Sequence, residues 1–322
     1  MKHIPGATVA VAGVLAATFA VGTVGAADFP KNPIEISVSF GAGSAADVTA
    51  RQLADGLAKR LKVAVPVVNR TGGGGGVSLI HLSQQKPDGY SLAWTSNQIS
   101  TTYNGGQVPF DYKNYTHVAQ VTLETPVLAV KADAPWKSLK ELMEYAKANP
   151  EKVRIGNSGT GSHTHLSAVA LAAAAGVKTV DVPFSAAEAT TNLLGGRIEG
   201  AIQLPAAFAS HVRAGTLRIV AALGAKREPL FPDAPTAKEQ GVDVAMELWR
   251  GLSGPKGMPA DVVAVLEAAI KETVASPEFK EQGTKLGYTP AYLPSKEFNE
   301  HIAKDDAQIA ALMDKLGMKK VK

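Results

Sequence analysis

Residues 34–61 read IEISVSFGAGSAADVTARQLADGLAKRL. The opening run, 34–40, is rich in Ile, Val and Phe with polar residues between, which reads as a strand. Gly41, Ala42 and Gly43 then break the pattern. Beyond them Ala46, Ala50, Leu53, Leu57 and Leu61 recur at helical spacing, so 45–61 predicts an amphipathic helix. Ser44 stands three residues before Asp47, the spacing of a capping box. This is a strand, a Gly-rich turn and a helix: the repeating unit of an α/β fold.

The same alternation continues outward. Strand-like runs fall at 64–69, 91–96, 117–123, 126–131, 153–157, 177–184, 198–204 and 217–223. Helix-period segments fall at 77–85, 138–148, 163–175, 186–194, 260–274 and 296–316. The pattern predicts parallel, helix-covered sheets. Two places depart from it. Only Glu124 and Thr125 separate the runs at 117–123 and 126–131, and a long extended run, 242–253, leads into Gly254-Pro255-Lys256-Gly257. These read as crossover strands between two α/β domains, one made of 28–125 with 250–322 and the other of 126–249. A single large sheet fits the same pattern nearly as well.

The N-terminus has the form of an export signal. Met1-Lys2-His3 is followed by an uncharged run over 7–24 of Ala, Val, Gly, Leu, Thr and Phe, and then by Gly25-Ala26-Ala27 before Asp28. The Ala, Gly and Thr content favours a cleaved signal peptide, 1–27, over a membrane anchor. Cleavage removes Lys2 and no acid, which leaves 295 residues and a net charge of +3. The chain has no Cys. An exported protein of this size relies on its core rather than on disulfides.

With 45% hydrophobic and 19% charged residues the chain is globular, and a net charge of +4 over 322 residues is a weak field. Sparse aromatics and the absence of a basic run before Lys319, Lys320 and Lys322 argue against nucleic acid.

Three strand-to-helix turns share one design: Gly41 to Asp47, Ser158 to His165, and Ser185 to Glu188. Each offers backbone N–H groups and a small hydroxyl at a helix start, where anions are favoured. In open α/β sheets such turns lie at the strand ends that bind ligands. Ordinary N-capping by Ser44 and Ser185, with Asp47 and Glu188 as the reciprocal caps, accounts for the same residues. Gly72–Gly76 lacks the Lys-Ser/Thr of a phosphate loop and reads as a flexible turn. His163 and His165 are two apart, on different faces of a helix, which is poor metal geometry. No GxSxG elbow supports a hydrolase.

The whole of 28–322 resembles the tripartite tricarboxylate transporter substrate-binding receptors, or Bug proteins, of bacterial periplasms. The resemblance is carried by Phe29-Pro30-Lys31-Asn32-Pro33-Ile34, by Phe40-Gly41-Ala42-Gly43-Ser44-Ala45-Ala46-Asp47, and by Val68-Asn69-Arg70-Thr71-Gly72-Gly73-Gly74-Gly75. Pro87-Asp88-Gly89-Tyr90, Gly159-Thr160-Gly161-Ser162-His163-Thr164-His165-Leu166, Leu193-Leu194-Gly195-Gly196-Arg197 and Asp233-Ala234-Pro235-Thr236 follow in the family's order. It implies a two-lobed periplasmic-binding-protein (Venus flytrap) fold that closes on a small organic carboxylate and delivers it to transmembrane transporter subunits.

The implied ligand contacts are Phe40, Ala42, Gly43, Ser44 and Ala45 in the first turn, and Thr95 and Asn97 at the end of strand 91–96. Ser158, Gly159, Thr160, Ser162 and His163 follow in the second turn, and Phe184, Ser185 and Ala186 in the third. Gln203, Trp249 and Arg250 complete the set. No catalytic residue, cofactor or metal is implied. Two departures bear on the ligand. Val182-Pro183-Phe184-Ser185 stands where Val-Pro-Tyr-Lys-Gly is usual, which removes a cation, and Gln203 stands where many members have Asp. A neutral amide there disfavours an amino acid and leaves a mono- or dicarboxylate, aromatic ones included. Arg250 is not a general family feature; facing the cleft, it would take a second carboxylate bidentately. An exported hydrolase or metalloenzyme using His163 and His165, or a receptor that signals to a sensor protein, are the competing expectations.

Overall fold

The computed structural model describes residues 29–321, together with Met1. The expected signal peptide, 1–27, lies outside the described residues.

The chain begins with β1 (Glu35–Val38), α1 (Ala45–Leu61), β2 (Val67–Asn69), α2 (Gly76–Ser83), β3 (Ser91–Ser96) and α3 (Gln98–Asn104). Next come β4 (Tyr115–Glu124) and β5 (Val127–Lys131), joined only by Thr125 and Pro126. Then follow α4 (Leu139–Ala148), β6 (Arg154–Asn157), α5 (His163–Ala175), β7 (Val180–Pro183), α6 (Ala186–Leu194), β8 (Gly200–Gln203), α7 (Pro205–Arg213) and β9 (Leu217–Ala222). The chain ends with β10 (Leu248–Pro255), α8 (Ala260–Ala275), α9 (Pro277–Leu286), β11 (Thr289–Pro294) and α10 (Ser295–Lys315).

The strands form two sheets rather than one. A six-stranded sheet has the order β11-β4-β10-β3-β1-β2, and a five-stranded sheet the order β7-β6-β8-β5-β9. The sheets are mixed, not parallel as the alternation predicted. The pairs of β1 with β2 and β3, and of β6 with β7 and β8, are parallel. The connecting strands supply the antiparallel pairs: β10 with β3 and β4, and β5 with β8 and β9. Strands that carry the chain between lobes are not returned by a helical crossover, so nothing forces them to run parallel.

Each lobe has its own core. In the first, Ala46, Ala50, Leu53, Ala54 and Leu57 of α1 pack on Ile36 and Val38 of β1 and on Leu266 and Ile270 of α8. In the second, Leu128, Ile155, Leu166, Leu171 and Ile202 are fully or nearly fully buried. Each such side chain contributes roughly 1.5–3 kcal/mol of burial. Helix α10 belongs to both lobes. Its Phe298 and Ile302 pack with Trp249 against the first sheet, while Ile309 and Met313 enter the core of the second.

Candidate functional site

Helix α1 starts against the second lobe. Ser44 is its N-cap, and its hydroxyl accepts from the Asp47 N–H at 3.2 Å. The reciprocal bond is displaced by one residue, because the Asp47 carboxylate accepts from Gly43 N–H at 3.0 Å. Asp47 also accepts from Arg51 Nε (3.0 Å) and Asn69 Nδ2 (2.9 Å). Burial alone would raise its carboxyl, but these partners outweigh that and hold it below the ordinary value. The turn is therefore braced from below, and the N–H groups of Ala45 and Ala46 lie in the first helical turn, where no intrahelical acceptor exists.

Helix α5 mirrors this from the other lobe. Ser162 caps it by accepting from His165 N–H at 3.1 Å. Thr164 Oγ1 accepts from Ser158 N–H at 2.9 Å, and His165 Nδ1 accepts from Gly161 N–H at 3.2 Å. His163 and Thr164 occupy the first turn with free N–H groups. Ser185 and Glu188 form the predicted capping box on α6.

The starts of α1 and α5 line one interlobe cavity. Phe40, Ser44, Ala45 and Ser96 come from the first lobe, Ser158, Ser162, His163 and Gln203 from the second, and Leu248 and Arg250 from β10. No Asp or Glu lines it. Two helix N-termini facing one space free of acids form an arrangement that favours an anion. The inner cavity is small, about 30 Å³. Phe40 and Ser158 also line an outer chamber of about 390 Å³, which Gly159, Thr160, Phe184, Ser185 and the Gly72–Gly75 run complete.

Arg250 is buried at the cavity floor and pairs through Nε with Glu124 Oε1 at 2.6 Å. Burial raises the Glu124 carboxyl, and Arg250 opposes that rise. His163 lies beside this pair, and burial first, then Arg250, lowers its ring to about 3.

A family model described as tripartite tricarboxylate transporter family receptor matches residues 49–318. The chain belongs to this family. A UPF0065 protein from the gbd 5' region of Cupriavidus necator is 32% identical to it over 97% of this chain and 98% of that protein. Among solved structures, a TctC solute-binding protein from Polaromonas is 32% identical with a TM-score of 0.67, covering 89% of this chain and 99% of that one. The periplasmic binding protein BugD is 28% identical with a TM-score of 0.86, covering 91% and 100%. The fold is thus the two-lobed periplasmic-binding-protein fold.

Within this receptor fold several expected contacts stand apart from the cavity. Thr95 is buried beneath β10, where its hydroxyl bonds Gly251 O at 3.1 Å and Ser253 Oγ at 2.8 Å. Asn97 and Trp249 face the back of the hinge. Both donate to Asp305 of α10, each at 2.8 Å. Ala42 and Gly43 shape the first turn without lining the cavity, because the chain turns outward there before α1. Arg250 does face the cavity, but one edge of its guanidinium is engaged by Glu124.

Other lining residues had no sequence signal. Leu204 and Leu248 pack with Ala45 as a small apolar cluster between the lobes. The Gly72–Gly75 run is not a free turn: it forms a 3₁₀ turn whose Gly74 meets the loop 160–162 of the other lobe. His163 Nε2 and His165 Nδ1 are both engaged by backbone groups, Glu247 O and Gly161 N–H.

Proposed function

We propose that this protein is a periplasmic receptor that captures a small organic carboxylate between its lobes and delivers it to the membrane subunits of a tripartite tricarboxylate-type transporter. The observation that carries this reading is the convergence of the α1 and α5 N-termini on one acid-free cavity, in a chain of the receptor family. The carboxylate sits between Ala45 and Ala46 on one side and His163 and Thr164 on the other, with Ser44 and Ser162 as hydroxyl partners, the Ser158 hydroxyl being given to Gln203 Oε1. The ligand enters as the lobes part and is held as they close, with the adjoining chamber lined by Phe40 and Ser158 as further room. The moving units are 126–249 and 28–125 with 250–322, the end of α10 resting on the first of these through Ile309 and Met313. Residues 1–27 act as the export signal and are removed. The family relatives are substrate-binding proteins, and His163 on the cavity wall and its neighbour His165 are engaged by backbone rather than by a carboxylate and a serine, which supports binding over hydrolysis.

Thermal unfolding against a panel of mono-, di- and tricarboxylates tests this. A binding acid at 100 times its Kd adds about 2.7 kcal/mol to stability. A panel that leaves the melting temperature unchanged throughout would contradict the reading. Sequencing of exported protein should read Ala27 or Asp28 first; a chain that still begins at Met1 contradicts the export proposal.

A further inference from the structure

Among the described residues, three side chains on the cavity wall each carry a buried polar atom with no partner: Arg250 Nη1, Gln203 Nε2 and His163 Nδ1. The residues are 2%, 3% and 3% exposed. Leaving a buried donor or acceptor unpaired is costly. On the wall of a ligand cleft, such atoms mark where the ligand supplies the partner.

The chemistry of each atom defines what that partner must be. Arg250 Nη1 only donates. Gln203 Oε1 accepts from Ser158 Oγ at 2.7 Å, which leaves its Nε2 as a free donor. His163 Nε2 lies 3.0 Å from the Glu247 carbonyl oxygen, which only accepts, so the ring proton is on Nε2. The ring is kept neutral by burial and by Arg250. Nδ1 is therefore a bare lone pair, an acceptor. The wall offers two donors and one acceptor.

A second carboxylate satisfies the donors but sets its own lone pairs against His163 Nδ1. Glu124 already neutralises Arg250 through Nε, so the floor does not call for another anion. An ammonium group meets Nδ1 but faces the Arg250 guanidinium. A hydroxyl has the matching chemistry: its oxygen can accept from Arg250 and Gln203, and its hydrogen can go to His163.

We propose that the ligand is a hydroxycarboxylate whose hydroxyl group is read by Arg250, Gln203 and His163 while its carboxylate lies at the starts of α1 and α5. This rests on the carboxylate-receptor reading and sharpens it to one substrate class. The selectivity belongs to the wild-type protein, so it is testable without a variant.

Calorimetric titration of the intact mature protein compares four series at matched chain length. These are acetate, propionate and butyrate; glycolate, 3-hydroxypropionate and 4-hydroxybutyrate; malonate, succinate and glutarate; and glycine, β-alanine and 4-aminobutyrate. At the best-fitting length the hydroxy acid should bind about ten- to a hundredfold tighter than its three counterparts, the range expected for hydrogen bonds to a charged partner. Gln203→Leu and His163→Phe should each shrink the ratio of hydroxy to plain acid. Plain or dicarboxylic acids that match or beat the hydroxy acid at every length overturn the hydroxyl assignment and leave the receptor reading standing. Binding by no acid in any series removes the receptor reading, and this inference with it.

Discussion

Ser44 holds the α1 start together with one hydroxyl, while the groups proposed to meet the carboxylate are the backbone N–H of Ala45 and Ala46. Ser44→Ala should therefore cost stability more than affinity. Urea unfolding should show a loss of about 1 kcal/mol, the usual worth of an N-cap, with carboxylate affinity reduced only modestly. A collapse of affinity with unchanged stability would mean that the hydroxyl is the anion's main partner. The Arg250–Glu124 pair makes an opposite case. Glu124→Ala leaves the guanidinium, 3% exposed at its side chain, without its counter-charge, so a loss of roughly 3–5 kcal/mol in urea unfolding is expected. A loss below about 1 kcal/mol would show that Arg250 finds solvent or another partner. At this scale the site was partly legible. Ser44, Ser158, Ser162 and His163 announce themselves because turn chemistry at a helix start is local. Leu204 and Leu248 do not, since an apolar residue on a cleft wall looks like any core residue. Nor does sequence show that Asn97 and Trp249 turn toward α10, because that depends on Asp305, which lies 208 residues from Asn97 and 56 from Trp249.

Elements with a strong period were readable, and elements defined by context were not. α1, α4, α5, α8 and α10 stand within a residue or two of their expected bounds. α3 (QISTTYN) is almost wholly buried yet polar. Its Thr101 and Thr102 hydroxyls bond back to Gln98 O, which satisfies them without leaving an apolar stripe to see. β11 has Pro290 and Pro294 near its ends, as suits an edge strand, and so reads as a loop. In α9 only Phe279 and Gly283 are buried, too few for a period. The Gly72–Gly75 run looked like a flexible turn because closeness to another lobe leaves no trace in composition. At Gly74 the backbone has φ +63°, and an added Cβ would lie 2.5 Å from Thr160 O. Gly74→Ala should therefore hold the lobes apart, speeding ligand release by about tenfold or more in stopped-flow displacement and enlarging the liganded particle in small-angle scattering. Wild-type release rate and dimensions would show that this contact is absent from the ligand-bound form.

At the scale of the molecule, two chain crossings and α10 connect the lobes. Asp305 ties α10 to the first lobe, accepting from Trp249 Nε1 on β10 and from Asn97 Nδ2. Burial raises its carboxyl to about 6, while those two donors pull the other way. A raised carboxyl favours the folded state most at low pH. That contribution is complete below the unfolded value near 4 and is lost as pH rises to the folded value near 6. Asp305→Asn keeps two acceptor bonds and removes the titration. Relative to wild type, its urea stability should improve by roughly 2–3 kcal/mol between about pH 4 and 6 and then run parallel. A difference that stays constant across that window would place the Asp305 carboxyl in water.

In the proposed receptor a carboxylate is held where α1 and α5 begin. Ala45 stands on that wall, 5% exposed and packed with Leu204 and Leu248. The most direct measurement is calorimetric titration of the best-binding carboxylate into wild type, Ala45→Asn and Ala45→Asp, each checked for a cooperative melt. Like charges about 4 Å apart repel by roughly 4 kcal/mol at an effective dielectric near 20. The Asp variant should therefore bind at least about a hundredfold more weakly than the Asn variant, which carries the same bulk without charge. Equal affinity of the Asp and Asn variants would contradict the account, because the ligand's negative charge would then lie away from the first turn of α1.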